Sequence, residues 1–468
     1  MPKYSAEQMY ESAMAHYNNG DKPTAILQMQ EALALKPDYD QAWNNRGNFL
    51  LQVGNAFDAV LNYERAITIR DAPEYHNNRG AALAELNRWP EAEMAYREAT
   101  KRRPKFEHAL TNLGNVLKLM DRVPEARKVY EEAIEANKDY VDAHLNLSFA
   151  ALEQGDFTVG WREYEWRWKS NQLPPRGLPL PEWRGTNLQD QQGLILYAEQ
   201  GMGDALQFSR YASLIKEKFG GRVYVEVRPA LARIMRTLKN IDGVVPFGDA
   251  VPADAQFCCP LMTCPLIFGT QVETIPATRQ YLWADPHRVD SFTKEIAKLP
   301  KNFLIGVCWA GENRLGNPGA SAIDRRRSTT LAALSPLAVI PGISWVSLQK
   351  GPPSEQIKAP PRGMTILDCM DDCDDWYDTA ALIQHLDMVI SVDTSVAHLA
   401  AALGKPTWIL SRKDACWRWM GDRRDSPWYP TVTHYRMKSQ NDWEGLIGEV
   451  SADLREVVKA HHTNVRAA

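Results

Sequence analysis

From residue 6 to about residue 150 the sequence repeats itself, with units starting near 6, 40, 73, 107 and 141 and a spacing of 33 or 34 residues. A small residue returns at the eighth position (Ala13, Gly47, Gly80, Gly114, Ser148). Alanine returns at the twentieth (Ala25, Ala59, Ala92, Ala126) and the twenty-seventh (Ala32, Ala66, Ala99, Ala133). Met29, Tyr63, Tyr96 and Tyr130 hold the twenty-fourth, and Pro37 and Pro104 close two units. Small residues let two antiparallel helices approach closely, and larger ones fill the gap between neighbouring pairs. A chain with this period is therefore expected to stack helical hairpins into a solenoid. The fifth unit departs from the pattern: Gly160 replaces the alanine and GWREYEWRW follows, as expected where a solenoid ends on another domain.

Period and anchor positions resemble the tetratricopeptide repeat. The sixth residue of units two to five is Asn45, Asn78, Asn112 and Asn146. Asparagine is a mediocre helix former, so four at one register need a reason. Two readings stay open. The amides bond neighbouring helices within the stack, or they form a ladder that donates to and accepts from an extended peptide acceptor. A similar ladder occurs in the repeat domain of O-GlcNAc transferases.

Composition narrows the rest. The 468 residues are too many for one compact core, so two or three domains are expected. Net charge is −4 with no long basic run, which argues against a dedicated nucleic-acid or acidic-membrane binder. The start, MPKYSAEQMYESA, has no apolar signal region, and no stretch reaches transmembrane length, so a cytoplasmic protein is expected. The seven cysteines include no CxxC pair; Cys369 and Cys373 lack the matching Cys/His pair of a metal site, and no metal is expected. Fifteen tryptophans cluster partly at 161–183 and 408–428, suited to packing or to stacking on sugar rings.

After a Pro- and Gly-rich linker at 170–192, LILYAE, RVYVEV and VVPFG read as buried strands, with helical stretches at 204–218 and 229–239 between them. A second series follows: FLIGVCWA, ISWVSLQ, MVISVD and PTWIL, with helices near 330–340, 376–386 and 395–403. Such alternation implies parallel sheets covered on both faces, here two doubly wound domains facing each other. The stretch DWEGLIGEVSADLREVVKA is expected to pack back as a closing helix. Ligands of these folds sit outside the carboxyl ends of the strands. There the chain places Trp309, the run Arg325–Arg326–Arg327, Gln349 and Lys350, then Asp393, Thr394 and Ser395 opening a helix with His398 one turn in. A helix amino terminus with nearby cations suits a diphosphate. Thr394 or Ser395 serves equally as a plain helix cap, the arginines as a solvated face, and His398 as a core residue. In the first series, YAEQGMGDALQF puts Gly203 and Asp204 in a glycine-spaced turn. Neither a Walker A sequence nor GxGxxG occurs, which argues against phosphate transfer and dinucleotide chemistry.

The pair EQGMGDALQF and SVDTSVAHLAAALGKPTW resembles the ADP-heptose:lipopolysaccharide heptosyltransferases of glycosyltransferase family nine. Its combination with repeats is similar to bacterial tetratricopeptide-repeat glycosyltransferases. The resemblance implies a GT-B fold, inversion without a metal, and a nucleotide-diphosphate sugar donor, ADP-linked in preference, held by the second domain. It implies Asp204 as general base, with Gly203, Trp309, Arg327, Gln349, Lys350, Asp393, Thr394, Ser395 and His398 around the donor. Which of Arg325, Arg326 and Arg327 meets the diphosphate stays open, as does Asp204 as helix cap. The helix dipole should weaken Asp204 as a base.

The expected architecture is α + α/β. A repeat domain of about four and a half units covers 1–169, a linker 170–192, an acceptor-side GT-B half 193–300, and a donor-side half with its closing helix 301–468. The expected function is sugar transfer, of a hexose or a heptose, to a hydroxyl of a protein or peptide held by the repeats through Asn45, Asn78, Asn112 and Asn146. Two alternatives are a non-catalytic repeat scaffold with a degenerate sugar-nucleotide fold, and a transferase acting on a glycan or lipid-linked acceptor. A homo-oligomer is left open.

Overall fold

A computed structural model of the chain describes residues 4–170, 173, 176–312 and 318–467. The chain divides into two compact units, Met1–Ala151 and Leu152–Ala468.

The first unit is a run of helical hairpins: α1 (Ala6–Asn18), α2 (Lys22–Leu35), α3 (Asp40–Gln52), α4 (Ala56–Ile69), α5 (Pro73–Glu85), α6 (Trp89–Arg102), α7 (Glu107–Leu119), α8 (Val123–Ala136) and α9 (Val141–Glu153). Two sequence positions explain the repeat. At the eighth, a Cβ on Gly47, Gly80 or Gly114 would lie 2.6, 2.6 or 2.3 Å from Cε1 of Tyr63, Tyr96 or Tyr130, the twenty-fourth residue of the same unit. The ring fills the space that the missing side chain leaves. At the fifteenth, the turn inside each hairpin takes a left-handed residue: Gly20, Gly54, Asn87, Asp121 and Gly155 have φ of 83°, 84°, 58°, 67° and 82°. Glycine, and at some cost Asn and Asp, reach that region, so the turn selects them. Helix starts are fixed locally as well. Ser5 and Gln8 form a capping box, and Asp21 and Asn55 accept from Thr24 and Asp58 backbone N–H groups.

Leu152–Ala468 begins with the end of α9 and α10 (Phe157–Tyr164). Residues 152–169, read from the sequence as the end of the repeats, group with this second unit for a packing reason. Trp161 sits edge-on to Trp417 at 5.3 Å and to Phe208 at 6.1 Å, and Phe157 stacks on Trp428 at 6.1 Å. These tryptophans are core. The stretch read as a linker is not free either, in its described part. Trp183 is buried with its backbone N–H on Cys258 O (2.8 Å) and its indole N–H on Thr186 O (2.8 Å), and Leu188 N–H bonds Phe219 O (2.7 Å). Residues 171–172 and 174–175 of that stretch lie outside the described residues.

The first sheet is parallel, in the order β3-β2-β1-β4, from β1 (Gly193–Tyr197), β2 (Arg222–Val227), β3 (Gly243–Pro246) and β4 (Ala255–Pro260). Helices α11 (Met202–Phe208), α12 (Arg210–Phe219), α13 (Pro229–Met235) and α14 (Cys264–Phe268) connect or follow these strands. Helix α15 (Pro286–Ile296) precedes the expected boundary at 300 yet packs on the second half. Arg288 Nε donates to Asp378 Oδ1 (2.7 Å), and the ring Nε2 of His385 lies 2.8 Å from Val289 O.

The second sheet is also parallel, in the order β10-β9-β8-β5-β6-β7. Its strands are β5 (Phe303–Cys308), β6 (Ile343–Ser347), β7 (Ile366–Leu367), β8 (Met388–Val392), β9 (Thr407–Ser411) and β10 (Val432–Arg436). Its helices are α16 (Pro318–Arg327), α17 (Ser335–Ala338), α18 (Trp376–Gln384), α19 (Ser395–Ala402) and α20 (Trp443–Ala467). The helix expected over 330–340 is a 3-10 turn capped by Thr330, then α17 restarting at Ser335-Pro336. On α20, Leu446, Ile447, Val450, Leu454 and Val458 line one face and join Val307, Trp345 and Ile390 in the core of this half. The closing helix thus seals the second sheet.

The glycine–tyrosine fit gives a direct test. Gly→Ala within a helix normally stabilises by about 0.5–1 kcal/mol. Overpacking a filled site costs about 1–3 kcal/mol. Gly114→Ala should therefore lower stability by about 1–2 kcal/mol in a urea melt, and a gain would show that Tyr130 yields freely.

Candidate functional site

Each sheet reverses its strand order once, between β1 and β4 in the first and between β5 and β8 in the second. Crevices at the carboxyl ends of such strands are where doubly wound folds bind ligands. The segment carrying Gly203 and Asp204 follows β1, Trp309 follows β5, and Asp393 to His398 follow β8.

Asp204 lies in the first turn of α11. Its Oδ2 accepts the Gly201 N–H (2.9 Å), and its Oδ1 accepts from Arg418 Nη2. The cap residue of α11 is Gly201, so Asp204 is not itself the cap; its carboxylate accepts the N–H of the cap residue and forms a charge pair with Arg418. Each carboxylate oxygen has a second lone pair, so neither contact exhausts it. The Asp204 side chain is 21% exposed against 10% for Arg418, so solvent reaches the carboxylate more than its partner.

Gly203 brings the two halves together. A Cβ there would lie 2.9 Å from His398 Cδ2 and 3.5 Å from Ser395 Oγ. His398 is buried, with Nδ1 2.9 Å from the Tyr429 hydroxyl and its ring stacked on Trp419 at 5.6 Å. Trp419 in turn stacks on His434 at 5.9 Å. Burial depresses both imidazoles, each to about 4, so both are neutral at pH 7.

At the start of α19, Thr394 makes no side-chain cap; its Oγ1 lies 3.1 Å from Ser391 Oγ. The amino-terminal N–H groups of α19 carry positive character. The structure separates the three arginines. Arg325 Nη1 donates to Ser321 Oγ (3.1 Å) and Arg326 Nη2 pairs with Asp414 (3.1 Å). Arg327 pairs with Asp324 (2.9 Å) and donates to Asp393 O (3.3 Å). A Cβ on Gly311 would lie 2.8 Å from the Arg327 guanidinium, so a glycine makes room for it. Residues 313–317 of the polar segment before it lie outside the described residues.

Other expected donor residues hold backbone instead. Gln349 Oε1 accepts the N–H groups of Trp309 (3.1 Å) and Ala310 (2.9 Å), and its Nε2 donates to Ala310 O (3.0 Å) and Lys350 O (2.9 Å). It ties the loop after β5 to the loop after β6. Trp309 is buried, and its Nε1 has no acceptor among the described residues. Lys350 Nζ donates to Cys373 O. Among the described residues no cluster of His, Cys, Asp and Glu is placed to hold a metal ion.

In the first unit, the asparagines bond each other. Asn112 Nδ2 donates to Asn77 Oδ1 (3.1 Å), Asn77 to Asn78 (3.3 Å), Asn78 to Asn44 (2.9 Å), Asn44 to Asn45 (3.3 Å) and Asn45 to the Tyr10 hydroxyl (2.7 Å). Among the described residues this chain does not include Asn146. A groove of about 320 Å³ opens at its Tyr10 end, lined in part by Asn44, Asn45 and Tyr75.

Two residues near the site escaped the sequence reading. Arg418 sits in a tryptophan-rich turn without a motif. Glu199 stands five residues before Asp204, and its proximity was the only signal. Glu199 Oε1 accepts from Arg167 Nη2 (3.1 Å) and Met262 N–H (3.2 Å), while Oε2 is buried without a partner among the described residues. Burial raises its carboxyl to about 7.

These groups set a pH dependence. His398 and His434 fall from 6.5 to about 4 on folding, so between those values the unfolded chain binds more protons and stability drops as pH falls. Glu199 rises from 4.5 to about 7, so it works the other way, favouring the folded chain at the acid end of that window. Calorimetry should show the melting temperature rising from pH 4.5 to 6.5, and more steeply in Glu199→Gln.

Comparison with known proteins agrees with this frame. Residues 377–434, which span β8, α19, β9 and Arg418, match the family model of glycosyltransferase family 9 (heptosyltransferase). Residues 10–75 and 111–159 match a tetratricopeptide repeat family. Protein FlbA of Caulobacter vibrioides is 24% identical over 95% of this chain and 83% of its own length. Among solved structures, MamA from Desulfovibrio magneticus is 14% identical, covering 36% of this chain and 97% of that one with a TM-score of 0.33. PilF of Pseudomonas aeruginosa is 18% identical, covering 34% and 74%, also with a TM-score of 0.33. No helix among the described residues is long and apolar enough to cross a membrane. One polypeptide thus carries segments similar to tetratricopeptide repeats and, at residues 377–434, a segment similar to glycosyltransferase family 9.

Proposed function

We propose that the second unit is an inverting, metal-independent glycosyltransferase that moves a sugar from a nucleotide-diphosphate donor, ADP-linked in preference, to a hydroxyl of a protein or peptide held by the repeats. One observation carries the reading: Gly203, the neighbour of Asp204 in the first half, lies against Ser395 and His398 at the start of α19 in the second. In the proposed reaction Asp204 takes the proton of the acceptor hydroxyl as its oxygen bonds the anomeric carbon. The bond from that carbon to the diphosphate breaks, and the electron pair leaves with the nucleotide. The amino terminus of α19 and the Arg327 guanidinium receive the developing charge. Neutral His398 packs behind the sugar pocket and adds no competing charge. Asp393, Thr394 and Ser395 face the donor, whereas Gln349 and Trp309 act through the loop they hold.

For the acceptor, the support is the amide chain of the first unit. Asn78 and Asn112 use part of their capacity on their neighbours and keep a further donor and acceptor for a peptide backbone, whereas Asn45 spends its amide within the stack.

A ligand that binds only the folded chain raises its melting temperature by mass action. In a panel of nucleotides and nucleotide sugars, an ADP-linked sugar should raise it, and Arg327→Ala should shrink the effect. No shift from any nucleotide would favour the scaffold reading. Asp204→Asn should lower transfer by about 10²–10⁴-fold while keeping the donor-induced shift. Transfer near the wild-type rate would remove Asp204 from the role of base.

A further inference from the structure

The Arg418 guanidinium bonds α11 at two points one turn apart. Its Nη2 donates to Asp204 Oδ1 and its Nε to Gln207 Oε1 (2.6 Å), while Nη1 lies 3.1 Å from Cys416 Sγ. The Trp417 ring lies beneath it at 4.3 Å and Phe208 at 5.8 Å. Gln207 is fully buried. A guanidinium only donates, so it dictates which way the Gln207 amide points. The amide oxygen must face Arg418, and Nε2 is left buried without an acceptor among the described residues. Arg418 follows β9 in the second half, whereas Asp204 and Gln207 belong to the first. The two contacts fix both the rotation of α11 and the rotamer of Asp204 relative to α19. A planar fork makes such paired contacts; an ammonium is a point charge and does not.

We infer that Arg418, seated on Gln207 and Trp417, is a positioning residue that aims the Asp204 carboxylate at the sugar pocket, so that the base is assembled only where the two halves meet. This rests on the reading of Asp204 as the base. Arg418 acts through that carboxylate and touches neither substrate. Removing the fork leaves Asp204 in place with its Gly201 contact but free to rotate away from α19.

The test is a double-mutant cycle on the full chain, reading nucleoside-diphosphate release from a panel of ADP- and UDP-linked sugars with water, at about 55 M, as the surrogate hydroxyl that takes the sugar and gives its proton to Asp204. Arg418→Met should lower kcat by about 10²-fold, the cost of a misplaced catalytic group, with the donor KM within about threefold. Arg418→Lys should recover only part of that loss. In an Asp204→Asn background the same Arg418→Met change should cost about twofold or less, because the group it aims is already gone. Melting temperatures of all variants separate a folding defect from a catalytic one; if Arg418→Met does not fold, Gln207→Leu takes its place in the cycle. Equal losses from Arg418→Met in both backgrounds, or no loss in either, would overturn the inference while leaving the base reading intact. Undiminished release by Asp204→Asn, or no release from any sugar by the wild-type chain, would remove the base reading and the role of Arg418 with it.

Discussion

The unit from Leu152 onward depends on how closely α11 approaches α19. At Gly203 there is no room for a methyl group between the turn after β1 and the ring of His398. That approach is what lets a residue from the first sheet share a site with the amino terminus of a helix from the second. In the proposed transferase neither switch point is complete alone: one offers a carboxylate, the other helix N–H groups and a guanidinium. A glycine at 203 therefore matters more for what it omits than for its backbone freedom, in contrast with the left-handed glycines of the repeat turns.

Buried arginines hold this junction in register. Arg210 donates to Gln207 O (2.8 Å), to Trp428 O (2.5 Å) and to the Tyr281 hydroxyl (3.0 Å), bridging α11 to the segments around it. Arg418 grips the same helix from the other side. Buried charges of this kind contribute little net stability, because desolvation offsets much of the attraction, but a lost partner leaves an uncompensated charge. Their physical effect is to make one relative placement of the halves far better than its neighbours. The imidazoles nearby are kept neutral by burial, and the charges acting on His398 are those of Asp393, Arg418, Asp204 and Arg210.

Much of this was legible in the sequence, and the divide follows contact range. The repeat period and the strand–helix alternation are local patterns that one chain displays, and so is the helix opened by Asp393-Thr394-Ser395. The tyrosines, read as filling the gap between neighbouring pairs, pack instead on the glycine of their own unit. Strand β4 was missed because AQFCCP lacks a branched run, and β10 because VTHYR is short and mixed. Arg418 was invisible because its partners lie more than two hundred residues away, and nothing in CWRWMG marks a guanidinium aimed at α11. Gln349 and Trp309 were read by position after a strand, but position does not reveal that the Gln349 amide is spent on loop backbone. Residues 152–159 match the repeat family, yet the packing of Phe157 and Trp161 groups 152–169 with the second unit.

The asparagine register shows how one feature satisfies two demands. Five amides pass hydrogen bonds in a single direction, from Asn112 to the Tyr10 hydroxyl, so each is polarised the same way. Bonds such as Asn78 to Asn44 and Asn112 to Asn77 cross from one hairpin to the next and fix the stacking of neighbours. Stacking therefore explains why amides stand at this register without any partner. For the proposed peptide acceptor, a row whose dipoles are already aligned would need no reordering of its donors and acceptors. The observed packing and the proposed recognition are compatible at Asn78 and Asn112, whose amides keep spare capacity, whereas at Asn45 packing takes the whole amide.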